Sequence, residues 1–383
     1  MLGAKAILDV VDRKTEQAVC DLLEAGGVVI GGDRPQDIQV HDRRFFPRVL
    51  RDNSLGFGEA YMDGWWDSEA VDQTVYHLLA SDLRRRAQQS ITTVALAIRA
   101  KLVNPQSYGR ATEVAHRHYD IGNDLYEQML GKTMAYTCAY WNDAENLDQA
   151  QENKLDLVCR KIKLERGMKV LDLGCGWGTF AKFAAENYGA HVTGYTISKA
   201  QVELGTKRCH GLPVELYCDD YREARGLYDR VISIGIMEHV GPRNYDTYMD
   251  VVDRCLVPDG IGFIHTIGGN RVKNHTDPWI DKYIFPNAVL PTLGRLTSAM
   301  DKDEWVVEDV HNIGPHYDPT LMAWLQNFEG AWPALADRYG ERFYRMWKFY
   351  LCSCAGGFRA RFMQLYQLVF TRQSTPQPEC RLS

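Results

Sequence analysis

The chain has 383 residues, 45% hydrophobic and 25% charged, with 44 Lys and Arg against 50 Asp and Glu for a formal charge of −6. At about 100–200 residues per domain that length suits two domains, and the mixture is that of a folded chain rather than a disordered or fibrous one. The acidic balance argues against a dedicated nucleic-acid binder, and no stretch approaches the roughly 20 consecutive apolar residues of a membrane span.

The first residues run into Asp9, Asp12, Arg13 and Lys14 without the apolar core of a secretory leader, so a cytoplasmic location is expected. The ten cysteines contain no CxxC pair and no Cys/His cluster at zinc spacing, which predicts reduced thiols and no metal. Residues 16–24 read as an amphipathic helix closed by Gly26 and Gly27. Residues 28–30 and 38–40 read as two short strands, and the aromatic, glycine-rich stretch 54–66 as a packed turn. Over 82–103, Ile91, Val94, Ala95, Ile98 and Leu102 share one face of a predicted helix. Arg84, Arg85, Arg86, Arg99 and Lys101 make it basic, which suits either an anionic bilayer surface or an ordinary solvated face. The pattern breaks at 104–109, the predicted domain boundary.

From about 150 onward helices and strands alternate. Helices are predicted at 149–164, 178–188, 198–210 and 242–257, and strands at 169–173, 191–195, 214–217, 229–234 and 262–266. Residues 306–310 and 368–371 read as two late strands, with a helical segment at 319–362 between them. Alternation at this spacing means parallel strands joined by crossover helices, hence a doubly wound, Rossmann-like α/β sheet beside an N-terminal α+β domain.

The sharpest local motif is Val170-Leu-Asp-Leu-Gly174-Cys-Gly176-Trp-Gly178, at the end of a predicted strand and the start of a helix. Its spacing is GxGxG rather than the GxGxxG of dinucleotide enzymes. Glycines without Cβ atoms let such a turn pass under a ligand, and the helix N-terminus beyond it suits a carboxylate. Asp172 is placed for an ammonium. A nucleoside carrying both groups is S-adenosylmethionine; a dinucleotide, or a tight turn with no ligand, remains the alternative. The next strand end lacks the usual ribose-binding acid, so Thr196 and Gln201 stand in for it. Asp220 and Tyr221 offer an acid and an aromatic where an adenine would lie.

Several segments taken together are similar to one family. They are 56–66, 118–123, 134–141, the glycine turn, 194–198, 237–241, 265–268, 279–287 and 355–359. In order, they resemble the cyclopropane-fatty-acid-phospholipid synthases and the related mycolic acid cyclopropane synthases, from about residue 27 to 372. The resemblance implies a class I S-adenosylmethionine-dependent methyltransferase domain at 126–383 and a linker at 105–125. It further implies a lipid-docking and dimerisation domain at 1–104. Its chemistry is attack of an alkene on a sulfonium methyl, then loss of a proton from that methyl as a ring closes. That chemistry needs an apolar tunnel, electron-rich groups near the cation, and a base.

The resemblance assigns the base as bicarbonate, held by Cys138, Glu238, His265, the backbone of Ile267, and Tyr317. Catalytic roles fall to Glu238, His265, Tyr317 and Cys138. For S-adenosylmethionine it points to Tyr136, Thr137, Gly174, Gly176, Gly178, Thr196, Gln201, Asp220 and Tyr221. The implied partner is an unsaturated phospholipid in the bilayer, reached by a homodimer peripheral on the inner face of the membrane. The basic helix and exposed aromatics around Trp279 and Phe285 are the expected contacts. Cys354 is expected to be structural, since alkene methylation needs no thiolate adduct. Alternatives are an acyl methyltransferase that stops at a methyl or methylene branch, a small-molecule N-methyltransferase, and a lipid-binding protein that has lost its chemistry.

Overall fold

The computed structural model describes residues 2–81, 122–301 and 305–381, with side chains from residue 13 onward. The predicted helix 82–103, the boundary at 104–109 and residues 118–121 of the second family segment lie outside the described residues. Contacts divide the chain into two units. One comprises Met1–Leu125, Thr276–Asn287 and Leu321–Phe362; the other comprises Tyr126–His275, Ala288–Thr320 and Met363–Ser383. Segments 276–287 and 321–362, which the sequence reading placed within 126–383, therefore fall with the N-terminal unit.

The second unit is built on one sheet. The N-terminal unit holds the two-residue strands β1 (Gln39–Val40) and β2 (Trp66–Asp67), so the sheet begins with β3 (Lys169–Leu173). It continues with β4 (His191–Thr196), β5 (Val214–Cys218), β6 (Tyr228–Ile234), β7 (Leu256–Gly269), β8 (Trp305–Asn312) and β9 (Met363–Arg372). The order is β5-β4-β3-β6-β7-β9-β8, parallel from β5 to β7, with β9 antiparallel to both neighbours. Strand order reverses between β3 and β6, which opens a crevice at their carboxyl ends. This is the expected Rossmann-like fold.

Successive strand residues point to opposite faces, and both faces are buried. Leu171, Val231, Ile264 and Leu368 join one apolar cluster, while their neighbours Val170, Ile232, Phe263 and Val369 join the other. The helices around the sheet are stopped and started by local chemistry. Asn146 caps the helix Leu147–Lys161 by accepting from Gln149 N at 3.0 Å. Gly178 and Gly189, at φ 70° and 66°, bracket the helix Thr179–Tyr188. The predicted strand 262–266 extends to Leu256–Gly269 and the late strands to eight and ten residues. The predicted helical segment 319–362 is two helices, Tyr317–Tyr339 and Glu341–Arg359, parted by Gly340 at φ 75°.

Sequence reading of the N-terminal unit needs three corrections. Stretch 54–66 is not a packed turn: the helix Phe45–Met62 runs through it, kinked at Asn53, and only the end turns into β2. Gly56 and Gly58 within it serve close packing. A Cβ on Gly58 would lie 2.5 Å from Trp279 and 2.8 Å from Phe349. Residues 28–30 form no strand; Ile30 makes one isolated bridge to Ile38, and β1 pairs with β2 instead. Trp279 is 1% exposed, its ring 4.8 Å from that of Phe349, so it is core rather than a lipid contact; Phe285 is half-buried. Within this unit Glu59 accepts from Lys282, Arg48 and Tyr283, at 2.6, 2.6 and 2.9 Å. No helix among the described residues is long and apolar enough to cross a membrane.

Candidate active site

The glycine turn leaves the carboxyl end of β3 with Gly174, Gly176 and Gly178 all at positive φ, 96°, 55° and 70°. The backbone N–H groups of Gly174 and Cys175 donate to Tyr195 O at 3.0 and 2.9 Å, tying the turn to the end of β4. A Cβ on Gly174 would sit 2.0 Å from Ile236 Cγ2, whereas one on Gly176 would meet nothing within 4 Å. Packing thus demands the first glycine, and the second borders open space. Tyr126 links Trp177 of the turn (5.0 Å) to Tyr136 (5.2 Å) in a row of rings.

Around that turn, Thr196 Oγ1 donates to Gln201 Oε1 at 2.7 Å, and Asp219 N donates to Thr196 O at 3.1 Å. Asp220 accepts from the Arg222 guanidinium at 2.8 and 2.7 Å, which holds its carboxyl below the ordinary range. Tyr221 is half-buried, its ring 6.0 Å from that of Tyr248. Asp172 is 2% exposed; desolvation pushes its carboxyl up to about 7, and Oδ1 has no partner.

A second group of polar side chains collects on β7 and its neighbours. His265 pairs across the sheet with Ile234 and with Gln367. The Gln367 amide nitrogen lies 3.3 Å from His265 Nδ1, so Nδ1 accepts and the ring proton belongs on Nε2. Burial drives the ring pKa well below its usual value, so the imidazole is neutral, and Nε2 is buried with no protein partner. Glu238, in the short helix Met237–Val240, is 6% exposed. Its Oε1 accepts from Ile267 N at 2.6 Å; its Oε2 is buried and unpartnered, and desolvation pushes the acid up to about 7. Sequence and register therefore bring Glu238, His265 and Ile267 together.

Cys138 is fully buried, and loss of water raises its thiol pKa, so it stays a neutral donor. Tyr317 opens the helix Tyr317–Tyr339 and is 7% exposed. The surrounding turn is bonded to the Cys138 segment. Thr320 Oγ1 accepts from Ala139 N (3.2 Å) and Trp141 Nε1 (3.0 Å), and His316 Nδ1 accepts from Trp141 N (3.0 Å). Ile313 N donates to Leu365 O at 2.9 Å, and Leu365 pairs with Ile267, which anchors that turn beside β7. An unpaired neutral donor and an unpaired acid oxygen suit a small oxyanion that carries one hydroxyl.

Several residues here escaped the sequence reading. Lys154 is 1% exposed and donates to Thr137 Oγ1 at 3.0 Å; Gln151 donates to Thr137 O at 2.9 Å. Both lie on the helix Leu147–Lys161, read only as the helix that leads into β3. The available signal was their helical spacing with Leu147, Ala150 and Val158, which puts a lysine on an apolar face. Gln367, Tyr126 and Trp177 were missed because only pairing and packing bring them in. Cys354, in the helix Glu341–Arg359, has its thiol pushed up to about 12 by burial, which does not suit a nucleophile.

Comparison with known proteins places this geometry in context. Residues 106–368 match the family described as Mycolic acid cyclopropane synthetase. The chain is 48% identical over 352 residues, 92% of each sequence, to the cyclopropane-fatty-acyl-phospholipid synthase of Escherichia coli K12. It is 31% identical over 349 residues, 86% of this chain and 81% of the other, to the tuberculostearic acid methyltransferase UfaA1 of Mycobacterium tuberculosis. Among solved structures, it superposes with a TM-score of 0.63 and 28% identity on the mycolic acid cyclopropane synthase CmaA1 complexed with SAH and CTAB. That match covers 69% of this chain and 98% of the other.

Proposed function

The chain belongs to the mycolic acid cyclopropane synthetase family, and on that premise we propose that it transfers a methylene group from S-adenosylmethionine to the cis double bond of unsaturated acyl chains in membrane phospholipids. S-adenosylmethionine would supply an electrophilic methyl and bicarbonate the base that removes a proton from it. Tyr136, Thr137, the glycines of the turn, Thr196, Gln201, Asp220 and Tyr221 form the donor site. Cys138, Glu238, His265, the Ile267 backbone and Tyr317 hold the base. The single observation that carries this reading is the pair of buried, unpartnered atoms, Glu238 Oε2 and His265 Nε2, at the carboxyl edge of the sheet that also carries the glycine turn. The neutral His265 N–H suits an anionic oxygen, and Glu238 suits a hydroxyl.

Each residue then has a physical task. Gln367 fixes the imidazole tautomer and Ile267 N–H fixes the Glu238 carboxyl, so neither must reorganise during the reaction. The Tyr317 ring offers a π face to positive charge on the acyl chain. Burial of Cys138, Glu238 and His265 excludes water that would trap that charge. Residues 1–104 are assigned to lipid docking and dimerisation, with the enzyme peripheral on the inner face of the membrane. A second reading, transfer that ends in a methyl or methylene branch, shares the first step; similarity to a fatty-acid methyltransferase keeps it in the test.

The test is incubation with methyl-labelled S-adenosylmethionine and vesicles of unsaturated phospholipid. The proposal predicts label in an acyl chain one carbon larger that resists mild hydrogenation. A branched product selects the second reading, and unlabelled lipid overturns both.

A further inference from the structure

Lys154 is a buried lysine whose ammonium points at a hydroxyl instead of a carboxylate. It is 1% exposed, it makes no ion pair among the described residues, and its one hydrogen bond is to Thr137 Oγ1 at 3.0 Å. An ammonium only donates, so Thr137 Oγ1 must accept in that bond, and the threonine's own proton turns elsewhere. Among the described residues no protein acceptor takes that proton. The rest of the side chain is fixed. Thr137 Cγ2 packs on Gly235, where an added Cβ would come within 2.9 Å of it. Gly235 directly follows β6, and the next residue, Ile236, lies against Gly174 of the turn. The hydroxyl is therefore held at the crevice between β3 and β6.

We infer that Lys154 is a positioning residue: its charge turns the Thr137 hydroxyl into a directed, polarised donor for a carboxylate-type anion bound at this crevice. The inference rests on the proposed function, which supplies two such anions, the methionine carboxylate of S-adenosylmethionine and bicarbonate. Charge-assisted hydrogen bonds are the strong ones, and a buried hydroxyl backed by an ammonium gains from the same effect. Burial lowers the Lys154 pKa to about 8, so the ammonium persists at neutral pH; the Cys138 thiol and the Asp172 carboxyl act on it electrostatically, and its field also reaches His265.

Calorimetry on the full chain tests this with two ligands. S-adenosylhomocysteine carries the amino-acid carboxylate and 5′-methylthioadenosine lacks it. In Lys154→Met the affinity for the first is expected to fall at least ten-fold while that for the second changes less than two-fold. Thr137→Val is expected to reproduce the loss and Thr137→Ser to restore the affinity, a pattern that a merely structural lysine would not give. Unchanged S-adenosylhomocysteine affinity with a ten-fold higher half-saturating bicarbonate concentration identifies the anion as bicarbonate. Equal weakening of both nucleosides, or no change in either ligand or in bicarbonate dependence, overturns the inference. Should Lys154→Met fail to fold, the Thr137→Val and Thr137→Ser pair decides on the same criteria. Failure of the wild-type chain to bind S-adenosylhomocysteine contradicts the proposed function itself.

Discussion

At Glu238 the role proposed for the side chain runs against the stability of the fold. Its Oε2 is buried with no partner, which costs about 1–3 kcal/mol for a polar group and more when charged. The folded-state pKa, pushed from 4.5 up to about 7, says the same thing: the fold prefers the protonated acid. Stability contributed by that preference is full below pH 4.5, declines as pH rises toward 7, and is gone above it. Glutamine has no such titration. Glu238→Gln is therefore expected to unfold at higher denaturant than the wild type at pH 8, by at most about 3 kcal/mol, and to lose that advantage at pH 4.5. Its turnover is expected to fall about 100-fold or more, the scale of a lost acid–base group. Urea titrations at the two pH values, with an activity assay beside them, check both. A variant that is less stable at pH 8 and fully active would remove Glu238 from the role given to it.

At the scale of the element, the turn after β3 divides its glycines by task. Gly174 has both a left-handed φ and a neighbour, Ile236 Cγ2, that an added Cβ would strike at 2.0 Å; Gly176 has the φ of 55° but open space around it. Gly174→Ala is expected to cost several kcal/mol or prevent folding, on the order of the overpacking and αL penalties combined. Gly176→Ala is expected to cost only about 1 kcal/mol in stability, yet to weaken S-adenosylhomocysteine binding at least ten-fold, because the new methyl enters the space proposed for the ligand. Thermal unfolding and calorimetry separate the two effects. Equal destabilisation by both substitutions, with unchanged binding, would make the motif a structural turn and nothing more.

Across the whole molecule, the sheet was legible because its strands alternate with helices and close on glycine and capping signals; β3 was read to its exact ends, 169–173. What was not legible depended on contacts distant in sequence. Gly58 reads as part of a turn until Trp279, some 220 positions later, is seen filling the space that it leaves. The same packing hides Trp279 from lipid. Glu238 and His265 stood out by family segment, but their missing partners, the tautomer set by Gln367 and the ammonium of Lys154 behind Thr137 need register and burial to appear. Sequence thus named the groups proposed to hold the base, and the structure supplied their second contacts. In the proposed reaction the transferred methyl loses one of its own protons before the product leaves. Mass spectrometry of lipid made with S-adenosylmethionine bearing a CD3 group tests it most directly. A ring that keeps two deuteriums from each donor methyl is expected, and a product retaining all three rules out that proton loss.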